Sequence, residues 1–261
     1  MAEFTVAEIL EATGGKLLAG KPGARVSGVG TDSRTIRRGE AFFALRGEKY
    51  DGHDFMAQAA AGGAGLLVVE EKLEKDLPPG VAVVQVADTL KALGRLAAWH
   101  RQRFSIPVIG VTGSNGKTTT KEMLAALLAR RFRVVKNLLN YNNEIGLPLT
   151  LLTVKRDTEV VILEMGMRGE GQIAYLAGIA RPTVGVITNV GHSHLELLGS
   201  REAIARAKGE LIAALPRDGL AVLNGDDPRV RPMDRLFPGS SLFYGLEGDG
   251  LDLRGNARPV A

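Results

Sequence analysis

Val108-Ile-Gly-Val-Thr-Gly-Ser-Asn-Gly-Lys-Thr-Thr-Thr120 is the stretch on which the fold turns. The apolar run Ile106–Val111 has the continuity of a strand buried on both faces. It delivers the chain into Gly-Ser-Asn-Gly, and a helix is predicted from about Lys117 to Arg130. Backbone N–H groups of such a turn, with the positive end of the helix dipole, make an anion site. Glycine lets the main chain wrap close to phosphate oxygens without a Cβ in the way. Lys117 is then expected to reach the outer phosphates, and the Thr118 hydroxyl to face a magnesium ion. The strict loop G-x-x-x-x-G-K-[ST] has its first glycine where this chain has Val111; residues 112–119 read T-G-x-x-G-K-T-T instead. An ordinary glycine-rich turn with a solvent-exposed lysine is the bland alternative. The strand before it and the helix after it argue against that.

Downstream, strand and helix signals alternate. Strands are predicted at Glu159–Leu163, Thr183–Asn189 and Leu220–Asn224, with helices near Gly171–Ile179 and from a Ser200 cap to Leu215. This alternation predicts an α/β fold with a parallel, doubly wound sheet. Upstream, the first hundred residues read as a small mixed α/β domain. Thr5 and Glu8 form a capping box before a short helix that Gly14–Gly15 end. Strands are expected at Val26–Thr31, Ala41–Leu45, Gly65–Val69 and Val81–Val86, and helices at Asp54–Ala61 and Thr89–Arg103. The boundary falls near residue 104. That gives an N-terminal domain over 1–104 and a P-loop-type parallel-sheet ATPase domain over 105–261.

The bulk numbers exclude several classes. No apolar run in the 261 residues approaches the roughly 20 needed to span a bilayer, so no membrane insertion is expected. The absence of cysteine removes disulfides, thiolate zinc sites and cysteine nucleophiles. The acidic N-terminus does not resemble a signal peptide, so the cytoplasm is the expected compartment. A net charge of +4 from 33 basic and 29 acidic residues is small. The one dense basic cluster, Arg130–Arg131–Phe132–Arg133, sits at a predicted helix end where cations suit the dipole. No nucleic-acid partner is expected; an anionic small molecule accounts for the surplus equally well.

Three further segments carry chemistry. Glu164 closes the apolar strand of Val160-Val-Ile-Leu-Glu164-Met-Gly, at the sheet edge where ligands of parallel folds bind. It reads either as a solvated loop acid or, beside a phosphate loop, as a magnesium ligand. His192 and His194 follow the next strand in Ile187-Thr-Asn-Val-Gly-His192-Ser-His194 and so reach the same edge. A zinc pair lacks a third ligand of the right type nearby, and loop histidines without a role are the alternative. Lys208 lies on the helix from Ser200, beside a stripe of Ala203, Ala207, Leu211 and Ala214. Taken alone, burial statistics make it a surface lysine.

Taken together, these segments resemble the Mur ligase family. The motifs T-G-S-N-G-K-T-T, N-x-x-N-Y-N-N-E-I-G-L-P (137–148), I-L-E-M-G (162–166), T-N-V-G-x-x-H-L-E (188–196) and A-K-x-E-L (207–211) occur in the family's order and spacing. So do Asp32-Ser-Arg34, Gly39-Glu-Ala-Phe-Phe-Ala-Leu-Arg-Gly47 and Tyr50-Asp-Gly-His-Asp54 in the first domain. The resemblance covers nearly the whole chain. It implies an ATP-dependent peptide ligase that needs Mg2+ and works through an acyl phosphate. The implied substrates are UDP-N-acetylmuramoyl-tripeptide, D-alanyl-D-alanine and ATP, and a monomer is expected. It further implies that Thr112, Gly113, Ser114, Asn115, Gly116, Lys117, Thr118 and Thr119 hold the nucleotide, with Asn143 lining the cleft. Thr118, Glu164, His194 and a carbamylated Lys208 serve the metal; Lys117, His194 and Lys208 are the catalytic set. Ser33, Arg34 and Gly47 receive the uridine diphosphate. Family members continue into a third domain, so a chain ending at 261 is expected to be truncated before it. A ligase for another amino acid, a folate polyglutamate ligase, and a nucleotide-binding fragment without ligase activity are the alternatives.

Overall fold

The computed structural model describes residues 2–70, 80–138, 140–191 and 195–255. The chain forms two compact units, one of residues 1–104 with 148–156 and the other of 105–147 with 157–261.

In the first unit, β1 (Phe4–Thr5) leads into α1 (Val6–Thr13). Thr5 accepts from the Glu8 N–H while Glu8 accepts from the Thr5 N–H, so two otherwise orphaned donors are satisfied and the helix start is fixed. Next come β2 (Lys16–Ala19), β3 (Arg25–Val26) and β4 (Val29–Gly30). The single strand expected over 26–31 is therefore two, because β3 pairs antiparallel with β1 while β4 pairs parallel with β5 (Ala41–Phe43). A 3-10 turn over Gly52–Phe55 precedes α2 (Met56–Ala61), and β6 (Leu66–Val69), β7 (Ala82–Gln85) and α3 (Thr89–Arg101) follow. The five strands run in the order β2-β7-β6-β5-β4, and only β2 is antiparallel to its neighbour. Phe42, Leu67, Val69 and Val83 form a core with Ile36 and Ala59. Residues 148–156 belong here: the buried His100 ring meets the Val154 carbonyl at 2.9 Å through Nε2 and packs edge-on against Phe4 and Phe104. Burial holds the His100 pKa below the ordinary histidine value.

The second unit is built on β8 (Val108–Thr112), α4 (Lys117–Leu128), β9 (Val134–Lys136), α5 (Gly146–Leu151, shared across the boundary), β10 (Val160–Glu164) and α6 (Gln172–Ala180). Then come β11 (Val184–Ile187), α7 (Leu195–Leu198), α8 (Arg201–Ala213), β12 (Leu220–Asn224), β13 (Ser240–Gly245) and β14 (Leu253–Arg254). All seven strands are parallel, in the order β14-β13-β12-β11-β8-β10-β9. From β8 the chain goes to the edge strand β9, returns through β10, and crosses to β11 to run outward to β14, so the switch point, where a parallel sheet opens a crevice at its carboxyl edge, lies between β8 and β11.

Packing explains how two helices come to bear on that edge. Val111, Val160, Ile162 and Val186 cluster with Ala125 of α4. Gly110 and Gly185 are paired across β8 and β11, and a Cβ at Gly110 would lie 2.8 Å from Leu211 of α8. Missing side chains therefore let α8 lie close to the sheet, which buries Ala203, Ile204, Ala207, Lys208, Leu211 and Ile212. Ala214, expected in that stripe, is exposed: α8 ends at Ala213 and Leu215 takes the buried place. No helix among the described residues is long and apolar enough to cross a membrane.

Candidate functional site: a glycine-rich loop, one carboxylate and three lysines

The loop between β8 and α4 is held from below by the residues that follow β11. The Ser114 and Asn115 N–H groups donate to the carbonyl and side-chain oxygens of Asn189, each at 2.9 Å. The Thr188 hydroxyl donates to the Asn115 carbonyl at 2.6 Å, and Ser114 Oγ accepts from the Gly191 N–H at 2.8 Å. Gly113 sits at the tightest point, with φ +152°; a Cβ there would come within 1.8 Å of Thr188 Oγ1. Only glycine fits. Thr112 is buried and donates to the Met165 carbonyl at 2.8 Å, which ties the end of β8 to the end of β10.

Glu164 is brought to this loop. Its Oε2 accepts from the Thr118 hydroxyl at 2.7 Å and its Oε1 from Asn142 Nδ2 at 2.9 Å. Asn137, fully buried, clamps the main chain of the same residue: Oδ1 accepts from the Glu164 N–H and Nδ2 donates to its carbonyl, both at 2.9 Å. The carboxylate is thus fixed in position and direction and is no solvated loop acid.

Lys117 Nζ donates to the loop carbonyls of Gly113 at 2.9 Å and Ser114 at 3.2 Å. Burial lowers its pKa, and the Glu164 charge opposes that. Lys208 contradicts the surface expectation: it is 2% exposed, and its pKa is lowered to about 7, first by desolvation and then by the charge of Lys117. A third lysine, Lys121, is wholly buried with Nζ 3.9 Å from Glu164 Oε2. Glu164 faces Lys117 and Lys121, and Lys208 lies near enough to Lys117 to feel its charge, which makes an anion-seeking site. Lys121, Asn137 and Asn142 were not singled out in the sequence, although both asparagines lie in the N-x-x-N-Y-N-N segment. Asn143, the asparagine expected in the cleft, accepts from the Ile145 and Gly146 N–H groups at the start of α5; it is Asn142 that reaches the carboxylate. His192 and His194 lie outside the described residues.

In the first unit, Ser33 Oγ donates to Gln58 Oε1 at 2.9 Å. Arg34 forks onto Asp32 at 2.9 and 2.7 Å, and that pairing holds the Asp32 pKa at about 2. The Gly47 N–H donates to the Tyr50 carbonyl at 2.9 Å in an exposed turn pinned by Arg46 and Asp51.

A parallel sheet whose switch strand feeds a glycine-rich loop, with a carboxylate presented from the neighbouring strand, defines the second unit as a phosphate-loop α/β domain. Residues 111–257 match the Mur ligase middle domain, and residues 25–101 match the Mur ligase family catalytic domain. The chain belongs to the Mur ligase family. It is similar to the UDP-N-acetylmuramoyl-tripeptide–D-alanyl-D-alanine ligase of Synechocystis, 51% identical over 86% of this chain and 49% of that protein. The MurF structure from Acinetobacter baumannii superposes with a TM-score of 0.89 at 34% identity, over 95% of this chain and 55% of that one. That of the Thermotoga maritima MurF ligase, in complex with ADP, gives 0.77 at 39% identity, over 85% and 51%. The chain spans about half the length of the curated relatives it matches.

Proposed function

We propose that this chain is the part of an ATP-dependent ligase that binds nucleotide and UDP-linked substrate, the whole protein joining D-alanyl-D-alanine to UDP-N-acetylmuramoyl-tripeptide in cell-wall precursor synthesis. The observation that carries it is the 2.7 Å contact between Thr118 and Glu164 beside a loop whose backbone is held open by glycine. In this reading the loop Thr112 to Thr119 cradles the phosphates, the main-chain N–H groups at the start of α4 donating to them while those of Ser114 and Asn115 stay on Asn189 and hold the loop in shape. Lys117 exchanges the Gly113 and Ser114 carbonyls for the β,γ-phosphate oxygens, a stronger, charge-assisted partner. Thr118 Oγ1 and Glu164 Oε2 are hard oxygen donors side by side, the donor set that magnesium takes together with substrate phosphates. When bound, the ion would neutralise charge on the transferring phosphoryl group.

The remaining chemistry is positioning. The tripeptide carboxylate forms a bond to the γ-phosphorus as the bond to the bridging oxygen breaks and ADP leaves. The amine of D-alanyl-D-alanine then attacks the acyl carbon, phosphate departs, and the amine proton is released. Lys208, with its pKa lowered to about 7, is neutral in a large fraction of molecules near neutral pH and then has the free lone pair that carbon dioxide needs to form a carbamate with loss of a proton. This would turn a buried cation into an anionic ligand, and the family pattern assigns His194 to the same metal. Asn143 lines the cleft, and Ser33, Arg34 and Gly47 take the uridine diphosphate. The substrates are soluble small molecules, so a cytoplasmic monomer without nucleic-acid partners fits the reading. Calorimetry with Mg–ADP tests the core of it: Lys117→Ala is expected to lose binding, and an unchanged affinity would sink the phosphate-loop assignment.

A further inference from the structure

Lys121 has no part in the chemistry above, yet among the described residues it is the most deeply buried charge in the second unit, at 0% exposure on the second turn of α4. Burying an ammonium costs several kcal/mol unless partners offset it. Nζ donates to the Asn137 carbonyl at 2.8 Å and lies 3.2 Å from Glu122 Oε1 and 3.9 Å from Glu164 Oε2. Glu122 is half-exposed and is also engaged by Lys136, so solvent screens it. Glu164 is the buried partner. Its carboxylate is enclosed by Thr118, Asn142 and Lys121, and its main chain by the same Asn137 whose carbonyl Lys121 holds. Among the described residues no three His, Asp or Glu side chains come together as a ready-made metal cage. Lys117 adds a further positive charge near Glu164, so before nucleotide arrives the Lys121–Glu164 pair offers no surplus negative charge to attract a cation.

We infer that Lys121 is the internal counter-ion of Glu164 and a positioning residue. It holds the carboxylate in place while cancelling its charge, so that a divalent cation enters only together with nucleotide phosphates. The inference rests on the reading of Thr118 and Glu164 as the metal-side ligands. Phosphate in the loop supplies the negative charge that the Lys121–Glu164 pair withholds, and the carboxylate already points at Thr118.

The test is Mn2+ binding to the whole chain by electron paramagnetic resonance, with and without ADP. Wild type should bind Mn2+ at least tenfold more weakly without ADP than with it. Lys121→Met keeps the stem and removes the charge; it should raise the nucleotide-free affinity for Mn2+ at least tenfold. A lysine that is merely structural would lower that affinity or leave it unchanged when replaced. Lys121→Gln retains a donor for the Asn137 carbonyl and gives the same readout if the methionine variant does not fold. Equal Mn2+ affinity with and without ADP in the wild type, or no gain in a folded variant, overturns the inference. If Glu164→Gln leaves the Mn–ADP affinity intact, the ligand reading beneath it fails instead.

Discussion

Replacing Lys208 with methionine should stabilise the protein, and by an amount that shrinks as the pH rises. An ammonium forced into the interior lowers its pKa from the ordinary 10.5 to about 7. The unfolded chain therefore binds more protons than the folded one between those two values, and stability rises with pH across that window. The penalty is fully present below the folded pKa and has almost gone at the unfolded one. At about pH 6 it amounts to roughly 5 kcal/mol at most, and by about pH 9 it has fallen to roughly 2 kcal/mol. Lys208→Met fills the same space without the charge. Urea unfolding of both proteins at the two pH values, in buffer stripped of carbon dioxide so that no carbamate forms, reads the difference directly. A methionine variant that is less stable than wild type near pH 6, or a difference that does not change with pH, would refute the reasoning. Re-admitting carbon dioxide should then shift the wild type and leave the variant alone.

Asn137→Ala removes two buried side-chain hydrogen bonds, to the Glu164 N–H and carbonyl, and a partly buried one to the Tyr141 carbonyl, and should lower unfolding free energy by about 2–4 kcal/mol in urea titrations; a loss under about 1 kcal/mol would show that the clamp contributes little. Gly113→Ala places a methyl group 1.8 Å from Thr188 Oγ1 and should abolish Mg–ADP binding in calorimetry, so a native affinity would show that the loop does not need its present path.

Sequence patterns show local order more clearly than partnership. The phosphate loop and its helix were legible because strand, turn and helix are adjacent in the chain, and Glu164 because it ends an uninterrupted apolar strand. The lysines were not. Lys121 and Lys208 look like solvated helix residues, and their burial is created by the sheet and by α4 and α8 packing on it, which no local spacing encodes. Among the elements that escaped, four did so for local reasons. β9 is only three residues long and follows a basic cluster, and α5 carries Pro148 inside its first turn, where proline is tolerated but reads as a breaker. β13 opens on Ser240-Ser241 and has only the short run Leu242-Phe243-Tyr244 to announce it, and β14 is two residues long.

The placement of residues 148–156 in the first unit bears on how the protein is made. A chain emerging from the ribosome completes its domains from the N-terminus onward. Here the first unit lacks Leu152, whose carbonyl accepts from the Ala2 N–H, and Val154, whose carbonyl meets His100, until long after Phe104 has emerged. Between those points the ribosome has already released the phosphate loop and all of α4. The two units are therefore interleaved in time, and the first cannot finish packing until the second has begun.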